Sequence, residues 1–76
     1  MGFTVQVDAL RARQDAEALV RILKTRHYPV FLVTPEYSNS RDNLYRVQVG
    51  PFISREDAEN VRSRLVQEGF KPFIKR

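Results

Sequence analysis

Apolar and polar residues alternate in two short stretches of the chain. Phe3, Val5 and Val7 are separated by Thr4 and Gln6, and Tyr45, Val47 and Val49 by Arg46 and Gln48. A period of two is the signature of a strand with one apolar face. A helical period follows each stretch. Ala16, Leu19, Val20 and Leu23 fall at i, i+3, i+4 and i+7, one apolar stripe. Ala58, Val61 and Leu65 keep that stripe in the second stretch, with Arg62 in place of Val20. An arginine there can lay its aliphatic stem along the edge and hold its head in water. A further strand is predicted after each helix, at Val30-Phe31-Leu32-Val33 and at Pro72-Phe73-Ile74-Lys75.

The two halves share one grammar. "FTVQVDALRARQDAE", from Phe3, aligns without a gap to "YRVQVGPFISREDAE", from Tyr45, at an offset of 42 residues. Two copies are too few for a solenoid and fit two halves of one domain. Residues 1–76 are therefore read as a single domain, with half-repeats at about 3–33 and 45–75. The stretch "TPEYSNSRDN", residues 34–43, is rich in turn formers and reads as the connecting loop. Ser54, with Asp57 three residues on, resembles a capping box, whereas Ala12 at the matching place is a poorer cap. Gly69 suits the left-handed stop of the second helix, and His27 takes that place in the first.

Strand–helix–strand twice over predicts an α+β fold of βαββαβ order, ferredoxin- or RNP-like. Four antiparallel strands form the sheet and both helices cover one face. The two "VQV" strands are then the central pair. Val5, Val7, Val47, Val49, Leu19, Leu23, Val61, Leu65, Phe31 and Phe73 form the expected core. Alternation puts Thr4, Gln6, Asp8, Leu44, Arg46, Gln48, Val30, Leu32 and Ile74 on the uncovered face. A solvated sheet face is the plain structural reading of such a surface. Leu44, Leu32 and Ile74 argue for a contact role instead, because a purely solvated face has little use for aliphatic groups. Amides and a guanidinium beside small apolar surfaces suit a neutral, hydroxyl-rich ligand such as a sugar chain. The structural demand on an exposed strand glutamine is light.

Composition narrows the function classes. A chain of 76 residues supports one compact core. Without cysteine there is neither a disulfide framework nor a thiolate metal site. A net charge of +4 suits an anionic partner or ordinary solubility. No apolar run approaches the roughly 20 residues of a membrane span, and no signal peptide is visible. Met1-Gly2 abuts the first strand, as expected of a domain taken from a longer chain whose targeting segment lies elsewhere. His27 is the only histidine and is expected to serve the turn. Asp15, Glu17, Asp57 and Glu59 sit on helix starts, where the dipole accounts for them. No phosphate loop, nucleophile elbow or metal-ligand spacing occurs. The domain is therefore expected to be no enzyme, to need no cofactor or metal, and to be a monomer.

The layout resembles the SPOR (sporulation-related repeat) domain over nearly the whole chain. The most specific piece is Arg46-Val47-Gln48-Val49-Gly50-Pro51-Phe52, followed by the acidic, Ala-containing helix start and the closing Gly69-Phe70. The resemblance implies a bacterial envelope module that binds peptidoglycan glycan strands lacking stem peptides and collects at the division septum, on the periplasmic or outer side of the membrane. The parent protein would be a division protein, an amidase or a lytic transglycosylase. Carried over by residue, the ligand contacts are Gln6 in the first strand, Arg46 and the preceding Leu44, and Ile74 in the last strand. Gln48 joins them by its outward parity, with a smaller part than Gln6. The family commonly has Gly and a small polar residue after the first "VQV"; here these are Asp8 and Ala9, which puts Ala9 at the site. The alternatives are an RNA-binding RRM-like module and a protein-interaction domain. An RRM stacks bases on aromatic residues of its central strands, and the outward central positions here, Gln6, Arg46 and Gln48, include none. Nucleic acid is accordingly not the expected partner.

Overall fold

The structure, a computed structural model, describes residues 2–76; the expectation drawn from Met1 lies outside the described residues. The elements run β1 (Phe3–Leu10), α1 (Arg13–Thr25), β2 (Val30–Val33), a short 3-10 turn (Pro35–Tyr37), β3 (Tyr45–Phe52), α2 (Arg55–Gln67) and β4 (Phe73–Lys75). The sheet is antiparallel in the order β2-β3-β1-β4, so the two "VQV" strands are its centre. The helices pack against one side of it. α1 lies over β2 and β3, and α2 lies over β1.

Local chemistry sets the helix limits. The Ser54 side chain accepts the Asp57 N–H at 3.1 Å, while Ala12 caps α1 with no side-chain bond. Both helices end in the same way. His27 and Gly69 turn the chain at φ 67° and 99°. Beyond each turn an N–H reaches back to the helix: Tyr28 to Leu23 O at 3.2 Å, and Phe70 to Leu65 O at 3.1 Å. This is the Schellman closure, which brings the residue after the turn onto the last apolar residue of the helix. Tyr28 is thereby buried in the core and Phe70 packs against it.

That closure corrects the expected core. Tyr28 and Phe70 take the inner aromatic places that Phe31 and Phe73 were expected to fill. In β2, Val30 and Leu32 pair with Val49 and Val47, so they face the helices and Phe31 and Val33 face outward. In β4, Ile74 pairs with Val5 and packs on the core, so Phe73 and Lys75 face outward with Gln6 and Thr4. Val5, Val7, Val47, Val49, Leu23 and Leu65 are buried as expected.

Two bulges interrupt the central pairing. Gln6 pairs with Gln48, yet Asp8 pairs with Val47, so β1 has one extra residue there. On the other side Val5 pairs with Val49 but Phe3 with Phe52, which gives β3 the extra residue at Gly50-Pro51. A bulge re-aims the side chains beyond it. Asp8, expected on the open face by simple alternation, lies opposite inward Val47, and Ala9 lies opposite Arg46. Gly50 has φ 127°, a conformation that glycine permits, whereas Asp8 is not among the positive-φ residues.

Leu23 and Leu65 are completely buried. Leu23→Ala or Leu65→Ala should each cost about 2–5 kcal/mol in denaturant unfolding. A cost below about 1 kcal/mol for both would contradict this core.

Candidate functional site

The uncovered sheet face is organised in rows. One row crosses all four strands as Phe31, Gln48, Gln6 and Phe73. Beside it run Val33, Arg46 and Ala9 on one side and Thr4 and Lys75 on the other. Leu44 precedes β3, is half-buried, and shares the parity of Arg46 and Gln48. Of the six residues expected at the site, Gln6, Gln48, Arg46 and Ala9 therefore meet on this face, with Leu44 at its margin. Ile74 is corrected to the helix side. Its neighbour Phe73, 51% exposed, stands on the open face instead.

The glutamines are not loose surface groups. Each is only 7% exposed, and Gln48 Nε2 donates to Gln6 Oε1 at 3.0 Å. Lys75 Nζ approaches the same oxygen at 3.5 Å. The structural demand at these positions is thus higher than an exposed strand residue would carry. Their remaining groups, Gln6 Nε2 and Gln48 Oε1, have no protein partner among the described residues. Among the described residues no buried side-chain polar atom lacks a partner, so both groups reach solvent. The pair offers one donor and one acceptor side by side.

Arg46 is also committed within the protein. Its Nη1 and Nη2 donate to Asp42 Oδ1 at 3.2 Å and Oδ2 at 2.5 Å, and Nη1 also approaches Leu44 O at 3.4 Å. Asp42 additionally accepts the Leu44 N–H at 3.2 Å. Asn43, at φ 58°, turns the chain so that Asp42 faces back to the sheet. The guanidinium fork, expected to be open to a ligand, is filled by a carboxylate and ties the 38–44 segment to β3. This hydrogen bonding from Arg46 holds the Asp42 carboxyl below its usual range.

Sequence reading missed Phe31, Phe73 and Asp42. The signal for the two phenylalanines was the left-handed stop at His27 and Gly69, which sets the parity of the strand that follows. For Asp42 the signal was an acid followed by Asn four residues before the outward arginine. Among the described residues no group of three or more His, Asp and Glu could hold a metal, and no helix is long and apolar enough to cross a membrane.

These features define an open-faced βαββαβ module whose polar centre is framed by aromatic rings. The sequence profile described as SPOR domain matches residues 2–76. The chain belongs to the SPOR domain family. It is 40% identical over 67 residues to the endolytic peptidoglycan transglycosylase RlpA of Yersinia pestis, covering 88% of this chain and 17% of that protein. The crystal structure of the RlpA SPOR domain from Pseudomonas aeruginosa superposes with a TM-score of 0.77 at 28% identity, over 99% of both chains. The solution structure of the peptidoglycan binding domain of the B. subtilis cell wall lytic enzyme CwlC gives a TM-score of 0.76 at 24% identity, over 99% of this chain and 89% of that one.

The Gln6–Gln48 contact should appear as a coupling energy of about 0.5–1.5 kcal/mol in a double-mutant cycle of the two alanine variants, read from denaturant unfolding. Additive single effects would mean that the two amides act independently.

Acid should weaken the molecule in a defined window. Asp42 is depressed by Arg46, and Glu68 by hydrogen bonds from the Tyr28 hydroxyl and from Arg26. A depressed carboxyl stabilises the fold in full above its unfolded value and loses that contribution as pH falls through its folded value. The melting temperature should be level from about pH 7 to 5 and fall below about pH 4. The paired variants Asp42→Asn and Glu68→Gln should flatten that fall.

Proposed function

We propose that the chain is a non-catalytic module that binds the glycan strands of peptidoglycan. Membership in the SPOR family supports peptidoglycan binding, and the RlpA relative, a peptidoglycan transglycosylase, points the same way. The observation that carries the reading is the row Phe31, Gln48, Gln6, Phe73. Aromatic faces can cover the apolar face of a sugar ring, while an amide donor and acceptor between them bond its hydroxyls. The row spans three strand spacings, ~14 Å, long enough for several linked sugars to lie across the sheet. Strands stripped of their stem peptides suit such a flat face, because stems would obstruct a glycan lying along it. Through this preference the domain would carry a parent envelope protein to the division septum. Residues 1–76 would act as one monomeric unit of two half-repeats, within the envelope outside the cytoplasm. The ligand contacts proposed are Gln6, Gln48, Phe31, Phe73 and Ala9, with Arg46 and Leu44 shaping the margin.

The outward-facing rings also favour a second reading, base stacking on RNA. They lie on the flanking strands β2 and β4, whereas an RRM carries its stacking aromatics on the central pair. Pulldown with purified sacculi, before and after an amidase removes the stems, separates the two when run beside single-stranded RNA at two salt concentrations. Glycan capture should rise after amidase treatment and fall only modestly with salt. RNA preferred over glycan, with steep salt dependence, would favour the second reading.

Phe73→Ala is the sharpest single variant, because half of the ring is exposed and little packing is lost. About 100 Å² of ring is available, and covering half of it at ~25 cal/mol per Å² yields close to tenfold in affinity. Phe73→Ala should therefore weaken binding to stripped glycan about tenfold with an unchanged melt. Parent-like binding by Phe73→Ala and Phe31→Ala together would remove the open face as the site.

A further inference from the structure

Charge on the open face is arranged differently at its two ends. On the β3 side Arg46 is matched through both oxygens of Asp42. On the β4 side Lys75 faces outward opposite Thr4, and Lys71 lines a cleft of about 430 Å³ together with Gln6, Ala9, Phe70 and Phe73. Neither lysine joins an ion pair among the described residues. The cleft has a simple origin: β4 pairs with β1 only from Thr4 to Gln6, while β1 continues to Leu10. One acidic group faces it, Asp8, whose carboxylate accepts the Ala9 N–H at 2.8 Å. Lys71 thus shares the cleft with one carboxylate, while Lys75 stands outside it on the same strand as the half-exposed Phe73, its Nζ 3.5 Å from Gln6 Oε1.

We propose that Lys71 and Lys75 read the carboxylate that stem-peptide removal leaves on the glycan. In intact peptidoglycan the lactyl group of muramic acid is joined to the stem by an amide and is uncharged. Hydrolysis of that amide takes up water, releases the stem as an amine and leaves a carboxylate on the lactyl ether beside the sugar ring. Stems carry carboxylates too, but farther from the ring, so the position of the charge is what is read. A ring seated on Phe73 and bonded by the Gln6 amide would hold its lactyl group over the cleft beside Lys71, with Lys75 along the same strand. Asp8 opposes the same charge from the other wall. Discrimination against intact strands is then electrostatic as well as steric. This inference rests on the glycan reading above.

The test uses stripped glycan in two forms, native and with its carboxyls reduced to alcohols by carbodiimide activation and borohydride. Affinities are measured for the parent domain and for Lys71→Gln, Lys75→Gln and Asp8→Asn, with melts as the folding control. The parent should bind the native form more tightly than the reduced one. Each lysine variant should lose about two- to fivefold on native glycan, the range of a solvent-exposed charge pair. Asp8→Asn should gain a similar factor. The parent, Lys71→Gln and Asp8→Asn should bind reduced glycan alike. Opposite signs for Lys71→Gln and Asp8→Asn, seen only on the charged glycan, are not produced by loss of packing. Equal binding of both glycans by the parent, or equal shifts on both by these two variants, would overturn this proposal while leaving glycan binding intact. No binding of either glycan by the parent would overturn the glycan reading itself.

Discussion

The hydrogen bond from Gln48 Nε2 to Gln6 Oε1 joins residues 42 apart, where equivalent positions of the two half-repeats pair across β1 and β3. Pairing proceeds outward from that point in both directions, and each direction soon meets a bulge. The extra residue of β1 is Val7, between Gln6 and Asp8, and that of β3 lies at Gly50-Pro51. The rings at the ends of the central row, Phe31 and Phe73, have the same separation as the glutamines. On the helix side Arg26 and Glu68 form an ion pair at 2.6 Å across the same offset. One register therefore governs both faces. A slip of one residue would turn every valine of a central strand outward and every glutamine inward. Buried valines on one side and bonded amides on the other make such a slip costly from both directions.

A face arranged in this palindromic way would read a ligand equally in either direction if nothing else differed. A glycan strand has unlike ends, and the side chains around the row are unlike too. Arg46 is held by Asp42 at one side, and Lys71 and Lys75 have no ion-pair partner among the described residues at the other. The bulges differ as well. Gly50 brings the backbone close to Phe3 and Phe52, where a Cβ would meet Phe3 O at 3.3 Å. Asp8 instead spends its carboxylate on the neighbouring N–H. Shape is shared between the halves, and charge distinguishes them.

The helices, the central strands and the topology were legible because each carries a clean period. The "VQV" alternation admits only one inward set, and the stripes from Ala16 to Leu23 and from Ala58 to Leu65 admit only one buried side. The flanking strands carry no such signal. Val30-Phe31-Leu32-Val33 is apolar at every position, so alternation alone cannot choose its face. Phe73-Ile74-Lys75 is too short to choose. Their parity is set upstream, by the left-handed turns at His27 and Gly69 and by the ring that each turn folds onto its helix. The bulge between Gln6 and Asp8 was hidden for a related reason. It needs no positive φ and so leaves no glycine to mark it, and strict counting carried the alternation one residue too far. Arg46 was correctly placed on the open face, but its partner lay in a loop whose irregular backbone no period describes.

The repeated glutamine is best understood as a pair rather than as two residues. A lone amide on a central strand, shielded by neighbours to a few per cent exposure, would have to find water or pay for being unpaired. Two amides facing each other across the central ladder satisfy one donor and one acceptor internally. Lys75 supports the shared oxygen, and the other donor and acceptor stay available to solvent. Valine on both sides of each glutamine keeps the strand in place, since the inward residues that flank it are buried. The amide pair is therefore rigid before any ligand arrives, and little side-chain entropy remains to be lost on binding. A rigid donor and acceptor between two rings is what a flat, hydroxyl-bearing chain requires. The same hydrogen bond that fixes the register thus orients the polar centre of the open face.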